Sequence, residues 1–149
     1  MSETAVAAGP IEMLLFRVGA ELFALPLVSS EEAIEGLASD PLPGMPPGML
    51  GVARHRGGRL PVYAAAAALG VACGAAEPVT LVVRSDGARL GLVVDDVEDV
   101  IMTDLSALRP VPGPKSTDPV LRGVLPWEGT LVAVCDPEAL VRACLGVRR

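Results

Sequence analysis

The sequence predicts an all-β fold built as two small barrels. Three observations carry this: short apolar stretches of strand length recur along the chain, tight-turn signals separate them, and the strand count nears ten against only a few short helices. The 149 residues suit one domain made of two halves, a size that buries roughly 70% of its unfolded surface. Apolar residues make up 51% of the chain, enough for a real core, while aromatics are only 3%, so that core is aliphatic. The same scarcity argues against a stacking platform for single-stranded nucleic acid, and a net charge of −6 argues against binding a phosphate backbone.

Residues 1–10 are small and Ala-rich and read as a flexible tail before a folded domain over 11–149. They carry no basic cluster ahead of an apolar stretch, so they do not form a secretory signal. Residues 12–18 and 21–27 are two apolar strands joined by Gly19-Ala20, a glycine-first connection of type II′. That turn sets Phe16 opposite Phe23, pairing the only two phenylalanines. Pro26 cannot donate to a ladder and places that strand end at an edge or bulge. Ser29-Ser30-Glu31-Glu32 has the form of a capping box, so a short helix is expected up to Gly36, with Glu31, Glu32 and Glu35 on a solvated face.

Residues 38–48 hold Pro41, Pro43, Pro46 and Pro47 and must be an extended loop. Residues 51–63 read as a hairpin turning at Gly57-Gly58, a register that faces Arg56 with Arg59. Residues 64–69 form a short Ala-rich helix closed by Gly70. The uncharged run 60–76 is too short and too Ala-rich to span a membrane, and Pro61 and Gly70 interrupt it. Strands at 79–84 and 90–94 flank Asp86-Gly87, a strand follows at 97–102, and 110–119 is a Pro- and Gly-rich loop. Strands at 121–125 and 131–135 flank Glu128-Gly129. The final helix carries the clearest signals: Asp136 as cap, Pro137 in the first turn, Glu138 at the positive dipole end and Gly146 beyond. Leu140, Val141, Cys144 and Leu145 share one face of it. A weak internal echo links Gly51-Val52, a glycine turn, Leu60-Pro61-Val62 and a helix ending Leu69-Gly70 with Gly123-Val124, Gly129, Leu131-Val132 and a helix ending Leu145-Gly146.

Catalytic chemistry is poorly served. Cys73, Cys135 and Cys144 form no C-x-x-C pair and read as three reduced thiols of a cytoplasmic protein. Asp95, Asp96, Glu98 and Asp99 crowd one turn, and a small metal-dependent hydrolase built on them is the alternative function. Adjacent residues of an extended chain point apart, however, so a solvated turn is the stronger reading. No serine lies in a G-x-S-x-G elbow. His55, the sole imidazole, has no orienting carboxylate near it in sequence and reads as an exposed or partner-facing strand residue. The informative cluster is basic: Arg54, His55, Arg56 and Arg59 gather at one hairpin end of an otherwise acidic chain, a tip suited to an acidic partner surface.

The run Gly51-Val52-Ala53-Arg54-His55-Arg56-Gly57-Gly58-Arg59-Leu60-Pro61-Val62 resembles the G-V-x-N-x-R-G-x-x-x-P-V-x-D-L signature of CheW-type chemotaxis coupling proteins. Residues 16–25 resemble the opening hairpin of that family. Leu90 to Val100 resembles its G-[IL]-V-V-D-x-V-x-D-V stretch, and Leu121-Arg122-Gly123-Val124 through the last helix resembles its ending. The resemblance implies two five-stranded SH3-like barrels sharing a hydrophobic core, no catalysis, no cofactor and no metal. It implies a cytoplasmic adaptor recruited to receptor clusters. Its partners would be chemoreceptor signalling tips docked in a groove between the barrels, and a CheA-type kinase regulatory domain or other CheW-like proteins, with no nucleic acid and no membrane insertion. Ser30, Glu32, Arg54, Arg56 and Arg59 are the partner-binding residues so implied. The sequence departs from the pattern at Arg54 for Asn, at Ala64 for Asp, at Ser30 for an apolar residue and at Gly58, which loosens the turn. Ser30 forgoes about 1–2 kcal/mol of burial. These departures point to a divergent paralogue that keeps the receptor contact and loses the kinase. The base-composition bias (no Asn, no Gln, one Lys) suits a Frz-type gliding-motility pathway.

Overall fold

The structure is a computed structural model that describes residues 9–72, 77–85 and 87–146. Among these lie ten strands: β1 (Pro10–Val18), β2 (Glu21–Pro26), β3 (Ser30–Glu35), β4 (Met49–His55), β5 (Gly58–Ala64), β6 (Val79–Ser85), β7 (Ala88–Val94), β8 (Asp96–Asp104), β9 (Leu121–Trp127) and β10 (Thr130–Cys135). Two helices complete them, α1 (Ala65–Leu69) and α2 (Pro137–Cys144). The strands form two five-stranded sheets, ordered β8-β1-β2-β10-β9 and β3-β6-β7-β5-β4.

Each sheet closes on itself through the chain that follows its first-named strand. Beyond β8, Arg109 exchanges two backbone hydrogen bonds with Val124 of β9, at 2.9 and 2.8 Å; beyond β3, Asp40 does the same with Val52 of β4, at 2.9 Å each way. Gly123 and Gly51 permit these seams. A Cβ at Gly123 would lie 2.7 Å from the Arg109 carbonyl oxygen, and one at Gly51 2.5 Å from that of Asp40. The internal echo is therefore architectural. The β4-β5-α1 and β9-β10-α2 units are counterparts, each attached in parallel to the other half of its barrel, β5 to β7 and β10 to β2. Barrel one comprises β1, β2 and β8–β10, and all five strands of barrel two, β3–β7, are inserted between β2 and β8.

Alternation along the strands builds two kinds of core. Met13, Leu15, Ala24, Leu125, Val132 and Val134 fill barrel one. The opposite faces of β1 and β2 supply Leu14, Phe16, Phe23 and Leu25 to a larger cluster shared with Leu81, Leu90 and Leu92 of barrel two and with Leu140, Val141 and Cys144 of α2. Phe16 and Phe23 are cross-strand partners, as expected, with ring centroids 5.9 Å apart. Gly19 alone of its turn takes a positive φ, 64°, as a II′ connection requires.

Several expectations are corrected. The capping box at Ser29 forms no helix. Leu27–Ser29 is a 3-10 turn and Ser30–Glu35 is strand β3, because pairing with the buried β6 outweighs the local signal. The β4–β5 turn is Arg56-Gly57, not Gly57-Gly58: Arg56 takes φ 53° and Gly57 φ 76°, so Arg54, not Arg56, faces Arg59, and Gly58 pairs with His55 inside the strand. Ala64 supplies no cap to α1, whose first turn starts without the side-chain acceptor that an Asp there would offer. Leu145 ends α2 exposed rather than on its buried face. Pro10, expected at the end of the N-terminal tail, belongs to β1; residues 1–8, residues 73–76 with Cys73, Asp86 and residues 147–149 lie outside the described residues. Among the described residues no helix is long and apolar enough to cross a membrane.

Candidate functional site

The β4–β5 tip, the β6–β7 hairpin and the start of β3 converge at one end of barrel two. The register of β3 against β6 shifts between Ser30 and Glu32, which leaves Glu31 as an extra residue. Successive strand residues normally point to opposite faces, and a bulge relaxes that rule. Here both carboxylates enter one network.

Glu32 Oε1 lies 2.8 Å from His55 Nε2 and accepts a hydrogen bond from Arg56 Nη2 at 3.1 Å. Glu31 accepts from Arg89 Nε on both oxygens, at 3.1 and 3.2 Å, and pairs with Arg84 at 3.4 Å. Arg89 Nη2 also reaches His55 Nδ1, joining the two halves. Arg84 and Arg89 are cross-strand partners, one on each side of the Gly87 turn. Hydrogen bonds from His55 and then Arg56 hold the Glu32 carboxyl below its ordinary range, and the hydrogen bond from Arg89 does the same for Glu31. The expectation of an exposed His55 is corrected: the residue is 8% exposed, and the carboxylate it lacked in sequence arrives from β3. Glu31 and Glu32 likewise belong to a strand and to ion pairs, not to a solvated helix face.

Of the five partner-binding residues expected, the structure joins Glu32 and Arg56 directly. Ser30 lies two residues before Glu32, opposite Val83. Arg54 and Arg59 face each other and are exposed, and with Arg56 they edge a hollow of about 400 Å³. None of the five lines the cleft of about 970 Å³ that runs between the barrels, whose charged residues are Arg17, Glu35, Glu77, Asp95 and Asp96. The guanidinium groups of Arg54, Arg56 and Arg59 thus edge the hairpin tip, and the cleft has only that of Arg17. Arg89 and Glu31 were not singled out as site residues, and His55 was grouped with the basic tip without being counted among the five. One signal was available, since Arg84 and Arg89 sit symmetrically about a legible hairpin turn.

The expected acidic turn is corrected: only Asp95 lies between β7 and β8, and Asp96, Glu98 and Asp99 belong to β8. Asp95 accepts from the Gly19 amide at 2.9 Å, whereas Asp96 and Glu98 pair with Arg17. Among the described residues no three His, Cys, Asp or Glu side chains converge as a metal would need, so the hydrolase alternative has no support. Cys135 and Cys144 are buried free thiols, and burial pushes Cys144 up to about 12 and raises Cys135 further, which makes both poor nucleophiles.

Comparison with known proteins agrees with this architecture. The CheW-like domain profile matches residues 12–144. The chain is 30% identical over 138 residues to the chemotaxis protein CheW of Rhizobium meliloti (strain 1021), spanning 89% of this chain and 88% of that one. It is 30% identical over 136 residues to a probable chemotaxis protein CheW of Rhizobium etli, with the same coverage. The scaffolding protein TtCheW from Thermoanaerobacter tengcongensis superimposes with a TM-score of 0.76 over 85% of this chain and 89% of its own, at 23% identity, and so shares the two SH3-like barrels. With its family profile, its relatives and its paired barrels in agreement, this chain belongs to the CheW-like domain family and is a scaffold of that type.

Proposed function

We propose that this chain is a non-catalytic adaptor that binds the helical signalling tip of a cytoplasmic chemoreceptor region through the Arg56 corner of barrel two. In the two-sided form of this reading a CheA-type kinase regulatory domain or another CheW-like protein also meets it barrel to barrel. One observation carries it: Arg56, at the position of the motif arginine, stands in a left-handed conformation at an exposed tip and is anchored there by Glu32. A receptor helix carrying acidic side chains can meet Arg54, Arg56 and Arg59 together. Arg56→Glu is expected to weaken binding of a receptor-tip fragment about tenfold, measured by calorimetry on the folded variant. Unchanged affinity rejects the site.

The finer reading is a one-sided adaptor. The motif arginine is present as Arg56 and pairs with Glu32, whereas the motif Asn and Asp are replaced by Arg54 and Ala64, the latter at an uncapped helix start. Pull-downs with separate receptor and kinase fragments test it: binding to the receptor alone supports it, and tight binding to both rejects it while leaving the adaptor role standing.

A further inference from the structure

Behind the exposed Arg56 lies a chain of contacts that the family pattern does not name. It runs Arg84–Glu31–Arg89–His55–Glu32–Arg56, from the β6–β7 hairpin to the β4–β5 tip. Its central link is His55, a buried side chain at a position that the signature leaves unspecified.

The chemistry of the two neighbours determines the state of the ring. A guanidinium has only donors, so the Arg89 contact requires His55 Nδ1 to be an acceptor with a free lone pair. The ring proton then sits on Nε2 and is donated to Glu32 Oε1, 2.8 Å away. Arg89 itself cannot swing aside freely, because its Nε is tied to both oxygens of Glu31. Glu32 is therefore fixed from its inner side by a neutral imidazole and presents the same oxygen outward to Arg56. Without that strut Glu32 is a half-exposed strand side chain free to rotate, and Arg56 loses its anchor.

We propose that His55, as its neutral Nε2–H tautomer clamped between Arg89 and Glu32, is a positioning residue that sets where Arg56 stands for partner binding. The partner half of this inference rests on the function proposed above; the tautomer and the clamp do not.

Two measurements on the full chain test it. The chain contains one histidine, so a long-range nitrogen–proton spectrum of histidine-labelled protein reports this ring alone. The expected pattern is a protonated Nε2 beside an unprotonated Nδ1; an Nδ1–H tautomer or a freely exchanging ring overturns the clamp. The second is binding of a receptor signalling-tip fragment from the same genome to folded variants. His55→Leu removes both hydrogen bonds and is expected to weaken binding about tenfold. His55→Gln, whose amide can accept from Arg89 and donate to Glu32, is expected to restore most of it. In an Arg56→Glu background His55→Leu is expected to cause no further loss; an additional loss there, or failure of Gln to rescue, overturns the positioning role. If Arg56→Glu alone changes nothing, the proposed site is wrong and the spectrum alone judges the clamp. If Arg56→Glu weakens binding and His55→Leu does not, the site stands and the positioning role falls.

Discussion

The β5–α1 corner of barrel two and the β10–α2 corner of barrel one occupy the same place in two copies of one plan. Their backbones nearly coincide: Ala64 has φ −80° and ψ 122°, Asp136 φ −84° and ψ 117°. Asp136 accepts hydrogen bonds from the Glu138 and Ala139 amides and opens an eight-residue helix; Ala64 accepts none and opens one of five. The hairpin tips repeat the contrast. Arg56-Gly57 and Glu128-Gly129 form matching turns, with φ of 53° and 76° in one and 46° and 80° in the other, yet one presents a cation and the other an anion. Backbone shape at these corners is thus dictated by strand pairing and seam closure, which leaves the side chains free to diverge. Barrel one ends its corner in a capped helix packed into the shared core, whereas barrel two ends its own in a shorter uncapped one and carries an exposed arginine at its tip.

The comparison can be broken first at the seams. Gly51→Ala and Gly123→Ala each force a Cβ onto a backbone carbonyl and are expected to cost about 3 kcal/mol in urea unfolding. A loss at one glycine only would show that the two seams are not equivalent. The corners offer a smaller, two-way test: Asp136→Ala should lose about 1 kcal/mol, and Ala64→Asp should gain about as much by restoring the missing acceptor. Equal effects would confirm that one cap chemistry serves both corners. The smallest effect belongs to the carboxylates of barrel two. Glu31 and Glu32 titrate below the ordinary 4.5 when folded, so their contribution is fully present above that value and fades as the pH falls through the lowered ones. Thermal melts across the acid range should show a destabilisation that Glu31→Gln with Glu32→Gln flattens.

The sequence displayed much of this fold because hairpins announce themselves locally. Gly19-Ala20 and Glu128-Gly129 located their turns, and Asp136 with Pro137 located α2. Strand β3 was hidden because Ser29 to Glu32 imitates a helix start, while its real partner, β6, lies far along the chain. The β4–β5 register slipped by one because Gly57-Gly58 advertises a turn that Arg56, a residue rarely found at positive φ, had already begun. Arg56 stood out in the basic cluster as well as through family resemblance, whereas Glu32 was reached through the resemblance alone. His55 was set aside because its carboxylate is 23 residues away and its arginine 34, separations that only the closed barrel cancels.

The insertion of one barrel within the other has a consequence for biosynthesis. When residue 94 leaves the ribosome, β3–β7 are all available and that barrel can shut. At that moment β1 and β2 are a lone hairpin without β8, β9 or β10, and two strands in isolation are marginal in water. The N-terminal strands must therefore wait for the C-terminal ones, beside a barrel whose own core still lacks Leu140, Val141 and Cys144 until α2 has emerged. Closure of the shared interior is thus left to the last helix of the chain.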